Sequence, residues 1–572
     1  MTDFSFDRLP FDTEALALWK QADPSRDNWP VVYTISNENE IYVGETVNAA
    51  TRLGQHLMSP AKQHLERVQI INNRKFNKSV CLDLESQLIK YFAADGKHRV
   101  LNANAGITEA NYFDRETYRE SFEELFQALV DEGLLSRSIP EIVNSNLFKF
   151  SPFKSLNSEQ AIALTGVLER LIEDIEGRRT ESIVIEGDPG TGKTIVAIYL
   201  MKLLSDLPRV TAGEAAEQES MFSDFFNYPI QQLFQEFKMA IVIPQQALRK
   251  TISDVFALTP GLSKTMVMSQ FDVGASDEYF DLIIVDEAHR LGRRANQPSA
   301  AQNIKFKEIN EKLFGKDSLE TTQLEWIKAK SRHQVLLLDV AQSIKPADLP
   351  SSMTAEIISE AKSALCHFHL RSQMRVEGGN DYIDFIAKLL SDSPAKLKGF
   401  GSYEFKFCDS FSELKEFVEA REREFGLSRM LAGYAWDWKS KKDKSAIDIE
   451  LEGHKLQWNQ TITDWVNSST SPQEMGSIHT IQGYDLNFAG VVIGKDLVYD
   501  PSSARIIFRR DAYFDTKGKE DNPKLGIRFT DEDLLEYVVN IYRVLLTRGI
   551  KGTFVYVVDD NLREHLKQVL EI

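Results

Sequence analysis

Short apolar runs that stop at polar or glycine-rich segments recur along the chain, and they predict buried strands. Residues 183–185, 240–243 and 282–285 are such runs, and a helical pattern follows the first of them at 195–200. Continuous apolar runs of this length are typical of parallel strands that are covered on both faces. The middle of the chain therefore has the sequence pattern of an α/β protein with parallel sheets.

The first hundred residues show a different pattern, with two short strands at Val31–Tyr33 and Tyr42–Gly44. A turn-prone cluster, Asn37–Asn39, separates them, so we expect a hairpin with two tyrosines side by side. The later elements expected from periodicity are a helix starting at Glu45-Thr46, a helix from about Asn77 to Ala94, and a strand at Val100–Asn104. Together these elements predict a small mixed α/β module.

Composition narrows the class of protein further. The 572 residues are 42% hydrophobic, and the sequence has neither a basic N-terminal segment nor an apolar run long enough to span a membrane. We therefore expect no membrane partner and no signal peptide. Cys81, Cys366 and Cys408 are isolated from one another and from histidine pairs, which favours the reducing cytoplasm over a disulfide or zinc framework.

The net charge of −18 argues against a nucleic-acid partner, because nonspecific affinity comes from Lys and Arg side chains that neutralise phosphates. Net charge is an average, however, and an acidic exterior with a local basic track would raise selectivity. The basic residues beside the candidate motifs are Arg67, Arg74, Lys75, Lys78, Arg249 and Lys250. Each of these clusters, taken alone, is more typical of an ordinary solvated surface.

A glycine-rich loop follows the first apolar run and has the spacing of a phosphate-binding loop. The glycines that let backbone N–H groups approach phosphate oxygens are Gly187, Gly190 and Gly192. Lys193 would reach the β- and γ-phosphates, and the Thr194 hydroxyl would ligate Mg²⁺. The strand before the loop and the helix after it are the context that phosphate binding requires.

An acidic pair follows the apolar run at 282–285. In phosphoryl transfer, Asp286 would hold Mg²⁺ and Glu287 would position or deprotonate the attacking water. An acidic pair in this place also suits an ordinary strand exit.

The order of these motifs and of six further segments resembles that of a superfamily 1 helicase. The residues within the motifs resemble those of the Schlafen group 3-like DNA/RNA helicase domain. The further segments are Leu156–Gln160, Pro244–Arg249, Leu338–Gln342, Leu370–Arg375, His479–Asp485 and Tyr542–Gly549. The resemblance implies two RecA-like lobes, each a doubly wound parallel sheet, with ATP between them and nucleic acid bound to both.

The resemblance also assigns roles to single residues. They are adenine recognition for Gln160, γ-phosphate sensing for Gln342, a phosphate contact for Arg375, the motif joining nucleic acid to nucleotide for Gly483, and an arginine finger for Arg548. Both arginines would come from the second lobe, so closure on ATP would complete the charge-stabilising shell and hydrolysis would release it.

A second constellation lies in the N-terminal module and comprises Tyr33, Tyr42, Arg52, His56, Glu85 and Asn102. Arg52 and His56 are four residues apart and share a helix face, whereas Glu85 borders the packed face of the next helix. With Val31–Tyr33 and Tyr42–Gly44 as its signature triplets, the module resembles a GIY-YIG endonuclease domain over residues 28–105.

That resemblance implies a phosphodiester-cleaving site. The implied roles are general base or relay for Tyr33, a ligand of one divalent cation (Mg²⁺ or Mn²⁺) for Glu85, stabilisation of the pentacovalent phosphate for Tyr42 and Arg52, proton transfer or orientation for His56, and shaping of the site for Asn102. A tyrosine with an ordinary pKa of about 10 is a poor base, so nearby positive charge or the metal must lower its pKa. The same residues also fit an interaction module whose tyrosines only pack in the sheet.

The predicted organisation is a helical lead-in (1–27), a GIY-YIG nuclease domain (28–105), a helical connector (106–150), helicase lobe one (151–365, with an insertion at about 213–238) and helicase lobe two (366–572). We expect an ATP-dependent helicase or translocase coupled to a metal-dependent endonuclease that cleaves DNA, with RNA as another possible substrate. Such fusions resemble bacterial anti-phage defence proteins in architecture. The alternatives are a DNA repair or recombination nuclease-helicase and an ATP-gated nucleic-acid sensor that does not cleave.

Overall fold

The computed structural model describes residues 4–22, 28–102, 115–153, 156–209, 222–294, 297, 299–339, 348–391, 396–461, 465–481, 484–521, 526 and 528–571. The chain forms two compact units, one of residues 1–165, 194–237 and 251–267, and the other of residues 166–193, 238–250 and 268–572. Among the described residues, no helix has both the length and the apolar character needed to cross a membrane.

The N-terminal module is a five-stranded sheet with helices on both faces. Its elements are β1 (Phe4–Pro10), α1 (Thr13–Ala22), β2 (Val31–Ser36), β3 (Glu40–Thr46), α2 (Ala49–Leu57), β4 (Arg67–Asn73), α3 (Lys78–Asp95), β5 (Arg99–Val100), α4 (Arg115–Asp131), α5 (Ile139–Asn144) and α6 (Asn146–Lys149). The strand order is β1-β4-β2-β3-β5, and only β3 and β5 pair in parallel.

Strand β2 is buried along its whole length because both faces of the sheet are covered. Val32 packs into a core with α3 and α4, whereas Val31, Tyr33 and Ile35 pack into a second core with α1 and α2. The expected hairpin of β2 and β3 is present. Its turn is closed by the Asn37 side chain, whose Oδ1 accepts hydrogen bonds from the N–H groups of Asn39 and Glu40.

The expected helical lead-in is wrong for residues 4–10, which form the edge strand β1 and pair antiparallel with β4. Phe4 and Phe6 pack against the core that contains α3, and the alternation of side chains between the two faces is that of a strand. The sheet therefore starts well before residue 28. Helix α1 occupies only residues 13–22 of the lead-in.

Two element boundaries in the module also differ from expectation. Helix α2 begins at Ala49, since Glu45 still pairs with Val32 and Asn48 caps the helix by accepting a hydrogen bond from the Thr51 N–H. Strand β5 is only two residues long, because its pairing with β3 ends at Val100. Residues 103 and 104, also expected in that strand, lie outside the described residues.

The next part of the chain builds a six-stranded sheet. Its elements are α7 (Ser158–Glu176), β6 (Ser182–Gly187), α8 (Lys193–Asp206), α9 (Tyr228–Leu233), β7 (Met239–Val242), α10 (Gln246–Leu258), β8 (Val267–Met268), α11 (Gln270–Ala275), β9 (Phe280–Val285), α12 (Ala300–Phe314), α13 (Gln323–Lys330), β10 (Ser331–Leu338), α14 (Ser351–Ser363) and β11 (His367–Leu370). The order is β11-β6-β10-β9-β7-β8, and the strands from β11 to β7 run parallel. Strands β6, β9 and β10 therefore end at the same edge of the sheet.

The rest of the chain builds a second parallel sheet. Its elements are α15 (Gly379–Leu389), β12 (Glu404–Phe407), α16 (Phe411–Phe425), β13 (Ser428–Ala432), β14 (Ile449–Leu451), β15 (His454–Leu456), β16 (Met475–Gly476), α17 (Ile478–Ile481), β17 (Leu486–Ile493), β18 (Leu497–Asp500), β19 (Arg505–Phe508), α18 (Asp531–Leu546), β20 (Gly549–Val557) and α19 (Asp560–Leu570). The sheet has the order β12-β20-β17-β13-β16, and β14-β15 and β18-β19 are separate antiparallel hairpins.

The α/β class with parallel sheets is confirmed, but the boundary expected at residues 365 and 366 is wrong. Strand β11 follows that boundary and yet pairs with β6 in the first sheet. The second sheet begins at Glu404 with β12, so the chain passes between the two sheets after Leu370. A single short strand next to the expected boundary carries too little pattern to be assigned to either sheet from sequence.

Candidate functional site

The glycine-rich loop lies between the end of β6 and the start of α8. Gly190 and Gly192 have φ values of 86° and 83°, in the left-handed region where residues with a Cβ are strained. A Cβ on Gly187 would lie 2.7 Å from the Thr191 hydroxyl and 2.9 Å from the carbonyl oxygen of Leu370. The loop therefore needs glycine at two positions for its backbone conformation and at one for close packing.

Lys193 is buried, and its ammonium group is surrounded by oxygen atoms. Nζ donates to the carbonyl oxygens of Gly187 (2.6 Å) and Asp188 (3.0 Å) and lies 3.3 Å from Oδ2 of Asp339. Burial raises the pKa of Asp339, and the charge of Lys193 opposes that rise. Since charged acceptors bind an ammonium group more strongly than carbonyl oxygens do, a phosphate would replace the carbonyl partners readily. Thr194 follows as the second residue of α8.

Asp286 and Glu287 follow β9, at the edge of the sheet where β6 and β10 also end. Asp286 is fully buried, and its Oδ1 accepts a hydrogen bond from the Glu287 N–H at 3.1 Å. Glu287 has a φ of 51°, a left-handed conformation that costs a residue other than glycine about 1–2 kcal/mol. Strain of this kind persists where the surrounding structure enforces it, and it is common at functional sites.

The carboxylate of Glu287 is held between two cationic or hydrogen-bonding groups. Its Oε2 lies 3.0 Å from Nε2 of His289 and 3.1 Å from Nε of Arg290. Burial would raise the pKa of Glu287, but the contact with His289, followed by the charges of Arg290 and Lys193, holds it well below its usual range. Because Nδ1 of His289 accepts from the Asp339 N–H (3.3 Å), the proton of a neutral imidazole lies on the nitrogen that faces Glu287.

The segment after β11 contacts the phosphate loop directly. Nε2 of Gln373 donates to the carbonyl oxygen of Pro189 (2.8 Å), and the Met374 N–H donates to that of Gly190 (2.9 Å). A Cβ on Gly190 would lie 2.1 Å from Oε1 of Gln373 and 3.0 Å from Cβ of Arg375. Arg375, expected to contact phosphate, is therefore held next to the loop.

Arg375 and the buried Arg548 form a charge cluster with Asp485. Nε of Arg375 lies 2.5 Å from Oδ1 of Asp485. Arg548 is 3% exposed and donates to the carbonyl oxygens of Val544 (3.3 Å) and Tyr484 (3.4 Å). Burial, together with the charge of Arg375, lowers the pKa of Arg548 to about 9, so its guanidinium is still charged at neutral pH.

The structure brings together four of the residues expected at the nucleotide site. The charge of Lys193 acts on Glu287, and the charges of Glu287 and Arg375 act on Arg548. Gln342 and Gly483 lie outside the described residues. Gln160 sits at the start of α7, where its Oε1 accepts from the Asn157 N–H (3.1 Å), so the structure shows a capping role for it.

Sequence reasoning assigned no role to three residues at this site, Gln373, Asp485 and His289. Gln373 and Asp485 lie inside segments that carry the helicase resemblance, and His289 lies two residues after the acidic pair. Those positions were the signal available for them.

In the N-terminal module, Tyr33 and Gly44 face each other across β2 and β3. A Cβ on Gly44 would lie 2.4 Å from Cζ and from the hydroxyl oxygen of Tyr33, so the ring of Tyr33 lies directly over the glycine. The ring centroids of Tyr33 and Tyr42 are 6.4 Å apart, and that of His56 is 4.9 Å from Tyr42. Gly44 thus creates the space in which the three rings meet.

His56 extends from α2 into this cluster and is 4% exposed. Its Nε2 lies 2.8 Å from the Tyr33 hydroxyl, and its Nδ1 lies 3.1 Å from Nζ of Lys62. Burial, followed by the charges of Lys62 and Arg52, lowers the pKa of His56 to about 3. The imidazole is therefore neutral at physiological pH.

Tyr33 is fully buried, which raises its pKa well above the usual value. The neighbouring Tyr42 raises it further, whereas the charge of Arg52 and a hydrogen bond with it lower it. Asn102 holds β3 through its amide, since Oδ1 accepts from the Val43 N–H (3.0 Å) and Nδ2 donates to its carbonyl oxygen (2.8 Å). Asn102 therefore fixes the backbone of Val43, which lies between Tyr42 and Gly44.

Glu85, on α3, lies beside a second carboxylate, Glu45. Burial, followed by the charge of Glu45, raises the pKa of Glu85 to about 8, although Lys78 opposes the shift. Glu45 is hydrogen-bonded to Lys78 through Oε1, while its Oε2 is buried and makes no hydrogen bond. Two adjacent carboxylates with one unsatisfied oxygen atom are a donor set that suits a hard divalent cation.

All six residues expected in the nuclease constellation are thus described, and five of them interact through their rings, hydrogen bonds or charges. Lys62 and Glu45 were missed. Glu45 directly follows the glycine of the second signature triplet, which could have drawn attention to it. Lys62 lies in the turn after α2, and its contact with His56 has no periodic signal in the sequence.

Comparison with known proteins gives one family match and one curated relative. Residues 180–559 match the family described as "Schlafen group 3, DNA/RNA helicase domain". The uncharacterized protein YPL245W of Saccharomyces cerevisiae is 26% identical over 418 residues, which cover 67% of this chain and 83% of that protein.

Solved helicase structures are only distantly similar. A structure of Pif1 helicases unwinding forked double-stranded DNA has 10% identity and a TM-score of 0.25, covering 70% of this chain and 92% of that chain. The Pif1 helicase of Candida albicans has 11% identity and a TM-score of 0.23, covering 73% and 98%. With TM-scores this low, the family match alone carries the assignment. Because that match spans more than half of the sequence, the chain belongs to the Schlafen group 3 DNA/RNA helicase family.

Proposed function

We propose that this chain is an ATP-driven DNA helicase or translocase whose N-terminal module is a divalent-metal-dependent GIY-YIG endonuclease. The family match supports the helicase part. The observation that carries the nuclease part is the mutual interaction of the Tyr33 hydroxyl with His56, at 2.8 Å, and with the charged groups of Arg52 and Glu85.

For ATP hydrolysis, Glu287 would take a proton from the attacking water while the water oxygen bonds to the γ-phosphorus. The bond from that phosphorus to the β,γ-bridging oxygen then breaks, and its electron pair leaves with ADP. Lys193, Arg375 and Arg548 would stabilise the charge that develops on the phosphoryl oxygens. Mg²⁺ held by Thr194 and Asp286 would neutralise the β- and γ-phosphates.

For phosphodiester cleavage, Tyr33 would first lose its hydroxyl proton to solvent. The resulting phenolate would accept a proton from water as the water oxygen bonds to phosphorus and the leaving oxygen departs with its electron pair. Arg52 and Tyr42 would stabilise the pentacovalent phosphate, and Asn102 would keep β3 in register beside them. A divalent cation held by Glu85, Mg²⁺ or Mn²⁺, would stabilise the leaving oxygen.

A second candidate function is supported by the burial of Tyr33 and Glu85. Burial raises the pKa of Tyr33 well above its usual value and that of Glu85 to about 8, so both groups are predominantly protonated at neutral pH. A module in this state would bind nucleic acid without cutting it, which is the behaviour of an ATP-gated sensor. Defence against phage DNA and DNA repair or recombination are the biological settings that we propose for the cutting enzyme.

The test is cleavage of supercoiled plasmid in Mg²⁺, with and without ATP, by the wild type, Glu85→Gln and Lys193→Ala. Glu38→Gln is the matched control, because Glu38 is an exposed glutamate at the hairpin turn of the same module. We expect nicking that is lost in Glu85→Gln, retained in Glu38→Gln and altered in its ATP dependence in Lys193→Ala. Parallel assays on forked DNA and single-stranded RNA identify the preferred substrate.

Nucleic-acid-stimulated ATPase activity without cleavage of any of these substrates would exclude the nuclease and favour the sensor. Cleavage that persists in Glu85→Gln would mean that the cluster around Tyr33 is not its source.

A further inference from the structure

Lys62 makes two contacts within the cluster around Tyr33. Its Nζ lies 3.1 Å from Nδ1 of His56 and 3.6 Å from the ring centroid of Tyr42. A cation over the face of a tyrosine ring is attracted by the ring quadrupole, so Tyr42 helps to hold the ammonium group in place. Lys62 belongs to the turn between α2 and β4. Its backbone is fixed by two hydrogen bonds, since the Lys62 N–H donates to the carbonyl oxygen of Ser59 and the Leu65 N–H donates to the carbonyl oxygen of Lys62.

The donor and acceptor properties of these groups decide where the proton of His56 lies. A lysine ammonium group has three donors and no acceptor, so Nδ1 of His56 must accept. A neutral imidazole carries one proton, which is then on Nε2. Nε2 lies 2.8 Å from the Tyr33 hydroxyl, so His56 donates to the oxygen of Tyr33.

We propose that Lys62 is a positioning residue, which fixes His56 as the Nε2-protonated tautomer and thereby directs a hydrogen bond onto the Tyr33 oxygen. The effect of Lys62 on catalysis rests on the proposed nuclease function. Hydrogen bonds that the Tyr33 oxygen accepts from His56 and Arg52 favour its ionised form and oppose the effect of burial. The phenolate is the form of tyrosine that can take a proton from water.

The other charged and titratable groups that face Tyr33 come from three elements. They are Tyr42 on β3, Arg52 on α2 and Glu85 on α3. Arg52 favours the phenolate, whereas Tyr42 and Glu85 oppose it. Lys62 differs from these groups because it acts on Tyr33 through the tautomer of His56, and a tautomer is measurable in a protein that cuts nothing.

The experiment is ¹H–¹⁵N correlation NMR of the full chain labelled at its ten histidines, with the His56 signal assigned by its loss in His56→Gln. The variants are Lys62→Met, Lys62→Arg and, as the matched control, Lys97→Met in the same module. We expect the Nε2-protonated tautomer in the wild type, in Lys62→Arg and in Lys97→Met. In Lys62→Met we expect the Nδ1-protonated form to appear, because Nδ1 has lost its donor.

A wild-type His56 protonated on Nδ1, or a tautomer unchanged in Lys62→Met, would overturn the proposal. Cleavage is measured on the same samples, and Lys62→Met should reduce it by about 10- to 100-fold, as loss of a partner behind an active group usually does, with recovery in Lys62→Arg. If the tautomer follows Lys62 but the wild type cuts nothing, the positioning by Lys62 holds and the proposed nuclease fails. If the wild type cuts and the tautomer ignores Lys62, the proposed nuclease stands and the role of Lys62 is refuted.

Discussion

Nε of Arg375 lies 2.5 Å from Oδ1 of Asp485, so an arginine expected to bind phosphate is paired with a carboxylate. The two side chains are 18% and 26% exposed, which leaves the pair largely shielded from water. Arg375 follows β11 of the first sheet, and Asp485 directly precedes β17 of the second sheet. A phosphate and Asp485 would compete for the same guanidinium.

Asp485→Asn is therefore expected to tighten nucleotide binding. Loss of a partly exposed ion pair of about 1 kcal/mol corresponds to a decrease of roughly 3- to 10-fold in KM for ATP, measured by a coupled ATPase assay. Asp511→Asn is the control, because it removes an exposed Asp–Arg pair with Arg509 elsewhere on the same part of the chain. An unchanged or higher KM in Asp485→Asn would show that Asp485 orients Arg375 for ATP rather than competing with it.

The pair of Lys193 and Asp339 allows catalysis and stability to be separated. Lys193→Met should lower kcat for ATP by at least about 100-fold and destabilise the fold by about 3–5 kcal/mol, since it leaves a buried carboxylate without its ammonium partner. Adding Asp339→Asn should restore much of the stability but none of the ATPase activity. Urea unfolding and ATPase assays of the two single variants and the double variant measure both effects, and additive losses of stability would contradict the pairing.

Gly44 and Gly54 make a matched pair in the N-terminal module. In Gly44→Ala the new Cβ would meet the ring of Tyr33 at 2.4 Å, whereas in Gly54→Ala it would meet nothing within 4 Å. We expect Gly44→Ala to cost about 1–3 kcal/mol and to abolish any cleavage, and Gly54→Ala to gain about 0.5–1 kcal/mol in helix α2. Thermal unfolding and plasmid cleavage check both, and a stable, active Gly44→Ala would disprove the tight ring packing.

Asp496 predicts a pH dependence of stability. It is fully buried, its Oδ1 accepts from the Tyr542 hydroxyl (2.7 Å), and burial raises its pKa to about 7 although that hydrogen bond opposes the rise. Its pKa in the unfolded chain is about 3.9, so the protonated folded form contributes stability that is complete below that value and is lost as the pH rises through about 7.

Asp496→Asn removes this titration. Its stability relative to the wild type should therefore increase between pH 5 and pH 8, as measured by the midpoints of urea unfolding at several pH values. The exposed Asp384→Asn serves as the control and should show a constant difference. A relative stability of Asp496→Asn that stays constant between pH 5 and pH 8 would mean that Asp496 is already ionised in the folded protein over that range.

Much of the nucleotide site was predictable, because its residues are neighbours in the sequence. The glycines, Lys193 and Thr194 belong to one loop, and a parallel strand delivers Asp286 and Glu287 at its end. The contact of Gln373 with Pro189 was not predictable, since it joins segments 184 residues apart and depends on β11 pairing with β6. The strand at residues 4–10 was missed for a similar reason, because an edge strand is defined by its partner.

The sequence by itself determined which chemical groups this protein carries and many of the stretches that form strands or helices, because periodicity and turn residues act over a few positions. It also determined the family, through motifs in a set order. Only the tertiary structure decided the direction of the pKa shifts of Glu287 and Arg548, the partner of Arg375, and the groups that contact His56. Those properties depend on burial and on contacts between groups from distant segments. The local spacing of residues predicts neither the burial nor the contacts.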